Sequence, residues 1–137
     1  MGLNSEIASA VNWDAPCVDT SDSLRVVIQK MTKSMASAVI VRDGEKVLGV
    51  ITDTDIAESI DRGKDLDATK VPQVMTACEL MLDQEVKSPC LQLDCTITVA
   101  NAIGVMARAG VHNIMVSGEG SEVGIAALRN LLKLVVS

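Results

Sequence analysis

Thr52 and Asp55 stand three residues apart at the start of a segment with helical spacing, Thr52-Asp53-Thr54-Asp55-Ile56. The first turn of a helix points free N–H groups outward, and its dipole favours an anion. A threonine hydroxyl beside them adds one donor for phosphate. A carboxylate three residues on accepts two hydroxyl donors at once, as a ribose 2′,3′-diol presents them. Phosphate and ribose recognition within one turn suits an adenosine nucleotide. The same Thr-x-x-Asp spacing is a near match to a capping box, in which the acid folds back onto the N-cap amide. The two uses coexist at Thr52 and compete more directly at Asp55.

Other constellations carry less chemistry. His112 is the one histidine and lies just before the apolar run Ile114-Met115-Val116; a lone histidine is not a motif. Gly118-Glu119-Gly120-Ser121-Glu122-Val123-Gly124 has glycine spacing faintly like a phosphate loop, but it joins two strand-like runs and carries two acids, so it reads as a hairpin turn. Cys17, Cys78, Cys90 and Cys95 contain no C-x-x-C pair, and Cys90-x4-Cys95 matches no zinc pattern. They read as ordinary buried thiols, and no metal site is expected. One histidine and no defined nucleophile provide no Ser/His/Asp or Cys/His arrangement, so no enzyme is expected.

The elements that position these residues repeat. Sliding the chain against itself at an offset of 75 (124 − 49 = 75) brings Asp19 onto Asp94, Ile28 onto Ile103, Met31 onto Met106, Val41 onto Val116 and Gly49 onto Gly124. Leu24 with Val99, Val39 with Ile114 and Ile56 with Leu131 match conservatively, and no gap is needed from Asp19 onward. Leu24, Val27, Ile28 and Met31 recur at helical spacing after the cap candidates Ser21, Asp22 and Ser23. Ala38–Val41 and Lys46–Ile51 read as strands around the turn Asp43-Gly44, and a second helix opens at Thr52 and runs to about Asp61, before Gly63. In the second half the spacing predicts a helix over Thr96–Arg108, a hairpin of Asn113–Val116 with Glu122–Ile125, and a last helix over Leu128–Val135. Short opening strands, Cys17-Val18 and Leu91–Leu93, precede each set.

Composition bounds the function. The chain has 137 residues and a net charge of −6. An acidic surface repels phosphate backbones, which argues against nucleic acid as a partner. With one Trp, no Phe and no Tyr, there are no stacking platforms for single strands either, and the core must be built from aliphatic residues and the seven Met. No apolar run approaches the ~18 residues of a membrane span. The first ten residues show no signal peptide, and Glu6 stands where myristoylation requires Ser or Thr. A reducing cytoplasm with free thiols is the expectation.

The segment Leu48-Gly49-Val50-Ile51-Thr52-Asp53-Thr54-Asp55-Ile56 resembles the signature of the cystathionine-β-synthase (CBS) domain: an apolar strand with Gly, then Thr or Ser, two residues, then Asp. Val74-Met75-Thr76 resembles the lead-in common in that family. The resemblance runs from about Ala15 to Ser137 and implies a stand-alone tandem CBS pair. The fold class expected is α+β, two repeats of strand–helix–strand–strand–helix packed about a pseudo-twofold axis. Residues 1–14 form an N-terminal extension, 15–62 repeat one, 63–74 a charged linker and 75–137 repeat two.

The resemblance also implies a function: a regulatory module that senses an adenosine nucleotide in the cleft between repeats and passes its state to a partner protein. AMP, ADP and ATP lead, with S-adenosylmethionine and NAD-type dinucleotides as further candidates, and no cofactor is required. Asp55 would hold the ribose and Thr52 the phosphate side. The adenine would slot between the entry strand near Cys17 and Val18 and the backbone around Ser37, Ala38 and Val39, with Val50 also a contact residue. His112 would reach across to the phosphate at the Thr52/Asp55 site, whereas its repeat-one equivalent, Ser37, is neutral. In repeat two the same offset puts Ala127 at the Thr position and Asn130 at the Asp position, so that cleft is expected to be weaker or empty, with one nucleotide per chain. A homodimer and an effector protein are the expected partners, with neither nucleic acid nor membrane. The alternative is an interaction dimer whose degenerate clefts hold no ligand, and Ala127 and Asn130 are its support.

Overall fold

The computed structural model describes residues 2–77, 92–120 and 122–137. Cys78, Cys90, Leu91 and Ser121 lie outside the described residues. The chain divides into two compact units: one is Ala15–Cys90, here the Asp55 unit, and the other joins Met1–Asp14 to Leu91–Ser137, here the Asn130 unit.

In the Asp55 unit the sheet order is β2-β3-β4-β5, formed by β2 (Cys17–Asp19), β3 (Ala38–Asp43), β4 (Lys46–Thr52) and β5 (Thr76–Ala77). Strand β2 runs parallel to β3, while β3–β4 and β4–β5 are antiparallel. Helices α1 (Leu24–Ser34) and α2 (Asp53–Asp61) complete the unit. Asp43-Gly44 makes the expected turn, with Gly44 at φ +61°. Side chains alternate across the sheet. Val18, Val39, Val41 and Ile51 therefore share the face that meets Leu24, Val27 and Met31 of α1 and Ile56 of α2.

The Asn130 unit repeats this with β1 (Val11–Asn12), β6 (Gln92–Asp94), β7 (Asn113–Ser117) and β8 (Val123–Ala127) in the order β1-β8-β7-β6, plus α3 (Val99–Ala109) and α4 (Leu128–Val135). Its core holds Val99, Ala102, Met106, Ile114, Val116, Ala126 and Leu131. Each of these matches a core position of the other unit at the offset of 75, as in Met106 and Met31 (106 − 31 = 75). The repeat is therefore a repeat of packing. Burying one such aliphatic side chain contributes roughly 1.5–3 kcal/mol.

Helix starts follow the caps. Ser23 accepts from Val26 N–H and Thr98 from Asn101 N–H. Helix α3 begins at Val99, not at the expected Thr96, because the Asp94 carboxylate accepts from both the amide (2.9 Å) and the hydroxyl (2.7 Å) of Thr96 and holds it in a turn. Those bonds keep the Asp94 carboxyl below the ordinary carboxylate value, as Ser21 does for its repeat partner Asp19.

The expected extension and linker are both built into units. Residues 7–10 form a 3-10 turn whose Ile7 is fully buried in the Asn130 unit, and Val11↔Ala126 and Asn12↔Ile125 pair β1 onto β8. Residues 71–73 form the matching turn on the Asp55 unit, where Val71 is fully buried, and β5 pairs with β4 at Gly49↔Ala77 and Val50↔Thr76. The two docking modes are equivalent. Ile7 N–H donates to Ile97 O and Val71 N–H to Asp22 O, and these acceptors are again repeat partners (97 − 22 = 75). Val99 N–H donates to Ser5 O and Leu24 N–H to Thr69 O, where the carbonyls stand at a different offset (69 − 5 = 64). Each lead-in thus serves the other half of the sequence, and the unit boundaries fall at 14/15 and 90/91 rather than at 74/75.

The signature glycines make this docking fit. A Cβ on Gly49 would fall onto the Thr76 carbonyl oxygen of β5. One on Gly124 would sit 2.6 Å from Val11 Cγ1 and 2.7 Å from Asn12 O of β1. Trp13, which follows β1, lies over the same hairpin and would meet a Cβ on Gly118 at 2.8 Å.

Candidate functional site

Thr52 ends β4 and is the N-cap of α2. Its hydroxyl accepts from Asp55 N–H at 3.3 Å, and Asp55 Oδ2 accepts from Thr52 N–H at 2.9 Å, so both halves of the capping box are made. Asp55 is half-buried. Burial pushes its carboxyl above the ordinary carboxylate value, against the hydrogen bonds from Thr52 that pull it down, and Glu58 and Asp53 add to the upward push. The Oδ2–Thr52 bond takes one of about four lone-pair sites on a carboxylate. Capping thus leaves acceptor capacity for a ligand, and a hydroxyl pair donating to Asp55 would stabilise the charged form that burial disfavours.

The other expected contact residues of this unit spread over the sheet. Ser37 precedes β3, and its carbonyl accepts from Asp53 N–H at 2.9 Å, which ties the start of α2 to the start of β3. Ala38 pairs with Thr52 and is buried. Val50 is also buried and alternates to the face opposite Ile51. Val18 and Val39 turn into the helix-facing core at 2% and 0% exposure, so their side chains offer a ligand no surface. Cys17 is half-buried, and Arg42 Nε donates to its Sγ at 3.4 Å. From Cys17↔Ile40 onward β2 is laddered directly to β3.

His112 and Asn130 belong to the other unit. His112 is exposed just before β7, and its carbonyl accepts from Leu128 N–H at 2.9 Å, the counterpart of the Ser37–Asp53 bond. Ala127 occupies the N-cap of α4 with no side-chain hydrogen bond. Asn130, at the position of Asp55, lines a pocket of about 360 Å³ together with Ser9, Ala10, Val11, Asn12, Lys133 and Leu134. Of these, sequence reasoning named Asn130 alone. The missing signal was the lead-in Ile7–Asn12, whose likeness to Val71–Thr76 lies at an offset of 64, not 75.

The equivalent positions in the Asp55 unit are Gln73–Thr76 and Asp55, Glu58 and Ser59. Charge separates the two sets. Helix α2 carries Asp53, Asp55, Glu58 and Asp61 and no base, whereas α4 carries Arg129 and Lys133 and no acid. Among the described residues no group of three or more His, Cys, Asp or Glu is placed to hold a metal ion, and no helix is long and apolar enough to cross a membrane.

Comparison with known proteins agrees with this architecture. The family model of the CBS domain matches residues 6–62. An uncharacterized conserved protein from Pyrococcus horikoshii shares the fold, with a TM-score of 0.81 at 21% identity over 97% of this chain and 93% of that one. So does a protein with CBS domains from Burkholderia ambifaria MC40-6 assigned to signal transduction (TM-score 0.75, 20% identity, 89% and 82% covered). Arabinose 5-phosphate isomerase KpsF of Escherichia coli is 31% identical over 84 residues, 61% of this chain. The chain spans about a quarter of that relative's length (26%). An α+β fold with two equivalent units, the Gly-x-x-Thr-x-x-Asp signature and the family match together define the class. Residues 6–62 match the CBS domain, and the chain shares the fold of solved CBS-domain structures.

Proposed function

We propose that this chain is a regulatory ligand-binding protein with no catalytic activity of its own. It senses an adenosine nucleotide, AMP or ATP foremost, and passes its state to an effector protein. Asp55 carries the proposal. Its half-buried carboxylate already satisfies the helix cap and keeps acceptor capacity, while burial raises the cost of its charge. A ribose diol offers the two donors that offset this cost, and Thr52 sits one turn away for the phosphate side. Regulation follows by population shift: the ligand stabilises one conformation of the protein, and a partner reads that conformation. A homodimer is the proposed assembly.

The test is calorimetry with AMP and ATP on wild type, Asp55→Ala and Asp55→Asn. Two charge-assisted hydrogen bonds at ~1.5–3 kcal/mol each predict at least ~100-fold weaker binding in Asp55→Ala. Asp55→Asn retains one acceptor and the shape, so its affinity falls in between, and thermal unfolding of both variants checks the fold. Affinity that ignores Asp55 overturns the assignment. No heat with AMP, ATP, adenosine or S-adenosylmethionine favours the second reading, a ligand-free interaction dimer, for which the missing hydroxyl at Ala127 speaks.

A further inference from the structure

Helices α2 and α4 hold equivalent places in the two units but turn different faces to solvent. Along α4 and its C-cap, Arg129, Leu132, Lys133 and Val136 are exposed. Their spacing of three, four and seven residues puts them on one stripe. Leu132 is 49% and Val136 86% exposed. At the offset of 75 the α2 stripe carries Ala57, Glu58 and Asp61, all exposed, and the exposed Ile60 flanks it. One stripe is therefore cationic with two large apolar side chains, and the other is anionic with apolar surface beside the acids. Burying the exposed aliphatics of α4 is favourable. The charges decide against what. A second α4 would set Arg129 and Lys133 against themselves, and a second α2 would do the same with Glu58 and Asp61. Like charges facing across an interface oppose association. The α2 stripe answers both features of α4. Glu58 and Asp61 match its cations, Ile60 adds apolar surface, and the short side chain of Ala57 lets a helix come close.

We infer that α4 of one copy docks on α2 of a second copy through these stripes, joining unlike units. The inference rests on the homodimer reading above and not on the nucleotide. Each copy presents both helices, so a twofold axis makes the contact twice.

Sedimentation velocity of the full chain over a concentration series gives the dimer dissociation constant for wild type, Lys133→Glu, Glu58→Lys, the double variant and Leu132→Asp. Far-UV circular dichroism checks the fold of each. A single reversal turns an attraction into a repulsion in both contacts, so Lys133→Glu and Glu58→Lys should each weaken the dimer at least ~10-fold. The double variant restores opposite charges and should return to within ~3-fold of wild type. Leu132→Asp should weaken the dimer as much as either reversal, and salt should weaken the wild type. In a second arm, Leu132→Cys chains are mixed with Ala57→Cys chains and treated with a short bismaleimide. Mass spectrometry should find the two new cysteines joined to each other, and neither variant alone should give the like pair. A wild type that stays monomeric overturns both the homodimer and this inference. A dimer indifferent to Lys133→Glu and Leu132→Asp, or like pairs joined in the single variants, overturns this inference and leaves the homodimer standing. Weakening by both reversals without recovery in the double variant also overturns it.

Discussion

Gly124→Ala should undo the docking of the first lead-in. The new Cβ would lie 2.6 Å from Val11 Cγ1 and 2.7 Å from Asn12 O, closer than real contacts allow, and a tight 3.0 Å from Trp13 Cε3. Strand β1 has to move off β8. Its two register pairs, Val11↔Ala126 and Asn12↔Ile125, then weaken at roughly 1 kcal/mol per hydrogen bond lost. Val11, now 8% exposed, regains water, which adds up to about 1.5–3 kcal/mol. Partial relaxation brings the sum to about 3 kcal/mol, or roughly 10 °C in Tm for a domain of this size. The assay is urea unfolding, with the change expected in the midpoint at constant slope. Gly110→Ala is the control. Its φ of +69° makes it a left-handed cap with nothing within 4 Å of a Cβ, so it should cost only about 1–2 kcal/mol. Equal losses in the two variants would refute the docking geometry. Val11 and Asn12 also line the Asn130 pocket, so Gly124→Ala should abolish whatever binding that pocket shows.

Ala127→Thr should stabilise the protein by about 1 kcal/mol in a thermal scan, because α4 gains the N-cap side chain it lacks. Met35→Gly should stabilise by up to about 1 kcal/mol: Met35 holds φ +53° at 92% exposure, where its repeat partner is Gly110. The Asp55 carboxyl is raised in the folded protein, so its favourable contribution is complete below the unfolded value of 3.8 and is lost as pH rises through the raised folded value. Asp55→Asn should therefore gain stability relative to wild type between pH 3 and pH 7 in urea unfolding (on the order of a few tenths to 1 kcal/mol for a half-exposed group), and a constant difference would contradict the burial argument.

Much of the fold was legible because the repeat is one of packing. Leu24, Val27, Met31, Val39, Val41 and Ile56 each have a core residue as repeat partner, since each unit must fill the same space between two helices and a sheet. Thr52 and Asp55 were legible because capping is local: three residues fix the geometry. The pocket was not legible. Its helical wall, Asn130 and Lys133, is one turn of α4, but periodicity says nothing of what covers that turn.

By itself, then, the sequence determined the two equivalent halves, the helix start at Thr52 and the hairpin glycines, because these rest on local caps, turns and the spacing of apolar residues. The tertiary structure decided which half each lead-in serves. Val11–Asn12 and Thr76–Ala77 are two-residue strands with no stability of their own, and they exist only where Gly124 and Gly49 leave room for a backbone to approach. It also decided that 63–74 joins a core through Val71, one buried apolar residue in a charged stretch. Finally, it decided where the charge lies at the two sites. Lys133 and Glu58 are ordinary surface residues in the sequence, and Lys133 gains its place in a pocket wall only when a distant segment of the chain folds against it.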